Sequence, residues 1–238
     1  MIQRMLAGGL IAGFAAGLLA ALLHFAFLQE IILLGEKYES GALVHFSGAG
    51  GTTPTAAHDH GEGASAAGEV AAGQGIERNA LTVLFTGLTY ASYGLLLVAA
   101  FALAERFGHR IDPREGVLWG LGAYLAFQLA PSMGLPPELP GTVSADITAR
   151  QGWYFGTVAA TIAGLLLLVS GRGAVAAILG GALIAAPHAI GAPHLDTFYG
   201  VAPPELAAEF TARALGVGFV AWAVLGWLAG RIWIKSAT

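Results

Sequence analysis

Cysteine is absent from all 238 residues, which removes disulfides, cysteine-type zinc sites, iron–sulfur ligation and thiol catalysis together. Charge is scarce: 11% of residues are Asp, Glu, Lys or Arg, against about a quarter in a soluble domain. Lysine occurs only at positions 37 and 235, and neither completes a G-x-x-x-x-G-K-[ST] loop, so ATP hydrolysis by that route is excluded. Three methionines are too few for a soft Cu(I) relay. No H-E-x-x-H, G-x-S-x-G or kinase signature is present, and the expectation is a protein that is not an enzyme and holds no tightly bound cofactor.

What is abundant is apolar surface. Hydrophobic residues make up 56% of the chain, and the mean hydropathy is +0.69. Polar side chains cannot cover a water-exposed globule of this composition, so the lipid bilayer is the first expected partner. The 35 glycines lie inside apolar runs, where small residues let helices approach closely. The predicted fold class is all-α: one integral membrane domain over residues 1–238, a polytopic bundle of six spans.

The first span opens after Arg4 and runs from Met5 to about Leu34. Its apolar stretch exceeds the 7–15 residues of a signal-peptide core and no A-x-A site closes it, so it reads as a spanning helix. Gly9, Gly13 and Gly17 form one face suited to close packing on another helix. Residues 35–79 follow as a polar loop whose composition predicts little fixed structure in its middle. The remaining spans are expected at 80–104, 116–133, 152–169, 174–190 and 207–230. The fifth is the shortest for crossing hydrocarbon, near the lower limit of about 17 residues.

An internal repeat supports the count of six. L-A-P-S-M-G-L-P-P-E-L leads to T-A-R and a helix; I-A-A-P-H-A-I-G-A-P-H leads through P-P-E-L to another T-A-R and another helix. Pro131 and Pro187, Glu138 and Glu205, and Arg150 and Arg213 correspond, as in two helical hairpins of one orientation (spans 3–4 and 5–6).

Six spans place both termini and the loops 104–115 and 170–173 on one side. That side holds seven of the eleven basic residues, and the opposite side twelve of the fifteen acidic ones. The basic side is expected to be cytoplasmic. All histidines except His109 then fall in the outer loops or the outward halves of helices.

Several residues could carry chemistry on that outer side. His58, Asp59, His60 and Glu62 place two imidazoles and two carboxylates within five residues, a set suited to divalent cobalt, nickel, zinc or copper. The same stretch could equally be a solvated loop. His188 follows Pro187 inside an apolar run, and His194 lies six residues on, across a Gly-Ala-Pro break. A histidine bonded to a carbonyl freed at the kink is the plainer reading. His24 and Glu30 lie in the outward half of span 1 on different helical faces. Gln128 and Ser132 are further candidates, or ordinary helix contacts. Thr82, Thr86, Thr89 and Tyr93 share one face of span 2, either lining a passage or bonding backbone carbonyls within a bundle. Glu138 and Glu205 follow Pro-Pro pairs, a pattern that suits helix starts, and Arg150 and Arg213 could neutralise them.

The ordered segments Q-E-I-I-L-L-G-E-K-Y-E, G-I-E-R, L-A-P-S-M-G-L-P-P-E-L-P-G, A-R-Q-G-W-Y and A-A-P-H-A-I-G-A-P resemble the CbtA family of predicted cobalt transporter subunits. The likeness covers most of the chain outside residues 40–74. It implies a membrane subunit for cobalt uptake, with nickel next, in the cytoplasmic membrane of a prokaryote. It also implies a small single-span, histidine-bearing partner of the CbtB type, and a family usually described with five spans. A second copy of the chain is a further candidate partner; nothing points to nucleic acid. The leading expectation is a divalent-cation permease subunit with metal capture at His58, Asp59, His60 and Glu62 and acceptance by His188, His194, His24 and Glu30. The alternative is an accessory membrane subunit that binds metal or stabilises a larger complex without conducting.

Overall fold

The computed structural model describes residues 2–45, 64–197 and 200–237. Its elements are helices: α1 Ile2–Phe27, α2 Gln29–Glu39, α3 Ala64–Arg106, α4 Pro113–Tyr124, a π-helical segment Leu125–Leu129, α5 Ala130–Ser132, α6 Ile147–Ser170, α7 Gly173–Ile190 and α8 Pro204–Ala237. Among the described residues the β-type pairing is a single antiparallel bridge, Thr142 to Gly200.

Local chemistry sets the boundaries. Asp112 caps α4 by accepting from the Arg114 and Glu115 amides at 2.7 and 2.9 Å, with Pro113 in the first turn, where its missing N–H costs nothing. Asp146 caps α6 through the Ala149 amide at 2.9 Å. Gly191, at φ +89°, ends α7 in a conformation that suits glycine.

Three glycine crossings hold the bundle together. A Cβ on Gly13 would stand 2.5 Å from the Ala91 Cα, and one on Gly17 would stand 2.7 Å from the Gly87 Cα, so α1 and α3 meet backbone to backbone. The glycine face expected on the first span is used, and α3 is its partner. Gly120 and Gly226 bring α4 against α8 in the same way, and Gly164 and Gly180 bring α6 against α7. α1 also packs along α8. The tightest partners thus join span 3 with span 6 and span 4 with span 5, across the two expected hairpins rather than within them. Where α1, α3, α4 and α8 meet, aromatic rings fill the centre: Tyr93 and Trp222 lie 4.6 Å apart by centroid, and Phe127 stacks on Trp222 at 6.0 Å.

Among the described residues, five helices are long and apolar enough to cross a membrane: Gln3–Phe27, Gly75–Arg106, Ile147–Ser170, Gly173–Ile190 and Pro204–Lys235. The fifth expected span is among them. The third is not, because the helical run from Pro113 to Ser132 is divided by the π-helical segment into α-helical pieces each too short to span. The polar loop is also shorter than expected, since α2 continues to Glu39 and α3 begins at Ala64.

At the histidine-bearing end, α2, the loop 133–146 and residues 191–197 and 200–203 form a cap over the bundle. Arg78 pairs with Glu36 at 3.0 Å and Gln29 donates to Asn79 at 3.2 Å, tying α2 to α3. Beneath the cap, Leu28, Ile31, Leu139 and Phe210 form a small buried apolar cluster.

Candidate functional site

Two prolines, Pro131 and Pro187, lie in helices near this cap, and neighbouring residues of α6 bond beside each of them. Pro131 has no amide to give the Phe127 carbonyl four residues earlier, and the helix widens into the π form just before it. The Tyr154 hydroxyl fills the gap, donating to the Phe127 carbonyl at 2.8 Å. Next to it, the Trp153 indole N–H donates to the Pro187 carbonyl at 3.1 Å. The Trp153 ring meets the His188 imidazole edge-on, with centroids 5.9 Å apart and planes at 71°.

The Trp153 indole is also what Gly134 makes room for. A Cβ there would lie 2.6 Å from the indole and 2.7 Å from the Ala192 Cβ. Arg150, one turn earlier on α6, pairs with Glu138 at 2.9 Å, and Ser144 donates to the same carboxylate oxygen at 2.7 Å. Three segments far apart in sequence, 131–139, 150–154 and 187–192, therefore converge around one tryptophan.

At this convergence His188 is half-buried, and its Nε2 is sealed from solvent with no hydrogen-bond partner. Buried polar atoms are nearly always paired, and neutral imidazole nitrogen is a good ligand for divalent transition metals. The kink-bonded reading of this histidine is not what is seen for Nε2. His194 is exposed, and its Nδ1 lies 2.9 Å from the Leu195 carbonyl. A carbonyl only accepts, so Nδ1 is the donor in this contact. His24 is half-buried on α1, edge-on to Phe25, and Glu30 is exposed in the first turn of α2. Among the described residues no three histidine or acidic side chains are grouped so as to hold a metal ion. His58, Asp59, His60 and Glu62 lie outside the described residues.

Other expected roles are redistributed. Gln128 donates to the Ala214 carbonyl at 3.2 Å, which makes it a contact between the π-helical segment and α8. Thr82 and Thr89 bond back to the Arg78 and Phe85 carbonyls of their own helix at 3.0 and 2.8 Å. Glu205 sits in the first turn of α8 as a helix-start carboxylate. Glu138 does not, because Asp146 caps α6 instead. Arg150 neutralises Glu138 as expected, but Arg213 turns from Glu205 to Glu209 on its own helix. Arg213 also donates to the Phe27 carbonyl at 3.1 Å, where the α1–α2 join breaks the helical ladder. Trp153, Tyr154 and Gly134 were not singled out from sequence. The usable signal was the proline rule, which says that the carbonyl four residues before Pro131 needs an outside donor.

A bundle of apolar spanning helices, capped at one end and interrupted beside a half-buried imidazole, defines a multi-pass helical membrane protein. The family model for CbtA, described as a probable cobalt transporter subunit, matches residues 2–234. The chain belongs to the CbtA family. No curated protein and no solved structure matches it.

Proposed function

We propose that this chain is the permease subunit of a divalent-cation uptake system, with cobalt as cargo and nickel as the next best. The observation that carries the proposal is the buried, unpartnered Nε2 of His188, held against Trp153 where three motif segments of the chain converge. Imidazole nitrogen suits cobalt and nickel and is indifferent to alkali ions. Cobalt as the particular metal rests on the family.

In this reading His58, Asp59, His60 and Glu62 capture the ion at the outer face and raise its local concentration. His188 accepts it, with His194, His24 and Glu30 as flanking ligands. Both termini face the cytoplasm of a prokaryotic cell, and a small single-span histidine-bearing partner completes the system. The run from Pro113 to Ser132 serves as the sixth span: at roughly 20 residues and 1.5 Å per residue it is about 30 Å long, the thickness of the hydrocarbon core. The two Pro-Pro-Glu-Leu segments then belong to hairpins of one orientation.

Cobalt uptake by cells carrying His188→Ala, or His58→Ala with His60→Ala, tests this role. Loss in both variants is expected, and wild-type uptake in both would refute it. Uptake measured with and without the small partner, across cobalt, nickel and zinc, ranks the cargo. A second reading, an accessory subunit that does not conduct, is favoured by the aromatic filling at the bundle centre. Purified chain in vesicles separates the two, since a permease admits cobalt alone.

A further inference from the structure

Among the described residues, two buried side-chain atoms lack a hydrogen-bond partner, His188 Nε2 and Thr161 Oγ1, and both belong to the α6–α7 pair. The first is accounted for by the uptake reading. The second is not. Thr161 is 2% exposed, and it lies eight residues along α6 from Trp153, about 12 Å further from the cap.

Its behaviour differs from that of comparable hydroxyls nearby. Thr157, one turn closer to the cap and equally buried, donates to the Trp153 carbonyl at 2.8 Å. Thr82, Thr89 and Ser92 make the same backward bond on α3. This is the common way for a helix to satisfy a hydroxyl away from water. Thr161 forgoes it.

The direction of Thr161 is informative. At about 100° per residue, it falls between Trp153 and Gly164, which touch α7, and Tyr154, which reaches the π-helical segment. The hydroxyl therefore sits where α6, α7 and the main bundle meet, on the far side of His188 from the cap. The alternative course through the bundle centre is occupied by the rings of Tyr93, Phe127 and Trp222.

We infer that Thr161 is a second, deeper station on the cation's course, and that it binds the hydration shell of a divalent ion. A neutral hydroxyl does not strip water from a transition-metal ion. It accepts a hydrogen bond from a metal-bound water, whose protons the cation has made acidic. A hydroxyl kept unbonded in the resting protein is available for that. This inference rests on the uptake reading of His188.

The test uses cells carrying the full chain with its natural partners, cobalt chloride as probe, and the purified protein for binding and thermal unfolding. Thr161→Val is expected to lower the initial cobalt uptake rate about tenfold, the effect of losing one hydrogen bond to a charged species. Cobalt binding to the purified protein weakens as well, while the unfolding midpoint is equal or higher because no bonded hydroxyl was lost. Thr161→Ser restores uptake. Wild-type uptake in Thr161→Val overturns the inference. So does lost uptake with a lowered midpoint, which would make the hydroxyl a structural bond. His188→Ala separates the two levels: wild-type uptake there overturns the underlying reading, whereas lost uptake there beside normal uptake in Thr161→Val overturns the second station alone.

Discussion

The Tyr154 hydroxyl donates at 2.8 Å to the Phe127 carbonyl, the group that Pro131 leaves without an amide four residues on. A defect in one helix is thus closed by a side chain of another, and α6 is tied to the π-helical segment by the same bond.

Removing only that hydroxyl, with Tyr154→Phe, should lower stability by about 1–3 kcal/mol, the cost of a buried carbonyl left unpaired. Thermal unfolding in detergent measures it. Pro131→Ala supplies an amide to the same carbonyl, so in that background Tyr154→Phe should cost much less. Equal costs in both backgrounds would show that the two residues are not coupled through Phe127.

Trp153→Phe keeps a ring beside His188 but loses the indole N–H that holds the Pro187 carbonyl. Supporting groups of this kind typically change metal affinity by tenfold or more. About tenfold weaker cobalt binding is expected, measured by calorimetry on purified protein, with helix content unchanged by circular dichroism.

Gly13→Ala should loosen the α1–α3 crossing, because the added Cβ would stand 2.5 Å from a backbone atom that cannot rotate away. A drop of about 1–3 kcal/mol is expected, the usual cost of overpacking. Gly122→Ala, where nothing lies within 4 Å, is the control and should be neutral or slightly stabilising.

Arg213 has two partners of unequal worth. Glu209→Gln removes an exposed ion pair of about 0–1 kcal/mol. Arg213→Met also strips the Phe27 carbonyl of its donor and should cost about 1–3 kcal/mol more. Unfolding midpoints of the two variants compared side by side report the difference.

The lack of native cysteine makes the chain a clean background for labelling. If Pro113–Ser132 crosses the membrane, His109→Cys and Val143→Cys should react with an impermeant thiol reagent from opposite sides. Reaction from one side would mean that this run does not span. Both positions are exposed, so access does not confound the outcome.

What sequence revealed and what it hid divide along the line between local and distant causes. The glycine face of α1 was legible because spacing by four is local to a helix. Its partner was not, since Gly87 and Gly94 are seven apart and name no counterpart. His188 stood out as an imidazole after a proline in an apolar run. Trp153 did not, because its role depends on the Pro187 carbonyl, 34 residues away. The third span read as one apolar run because widening into the π form is tied to Pro131 and to a hydroxyl on another helix. The two prolines before Glu138 suit a helix start, yet Asp146 has the side chain that reaches an amide. The repeat aligns Arg213 with Glu205 as it does Arg150 with Glu138, but Glu209 lies one turn from Arg213 on its own helix.

The glycine crossings also divide the molecule mechanically. Side chains can change rotamer, but two backbones in contact can neither compress nor slide without separating. α1 with α3, and α4 with α8, therefore behave as a stiff frame, while α6 and α7, locked at Gly164 and Gly180, form a lever. That lever is pinned to the frame through Tyr154 and to the cap through Arg150. A tilt of the lever would carry His188 and Thr161 together and leave the frame unmoved.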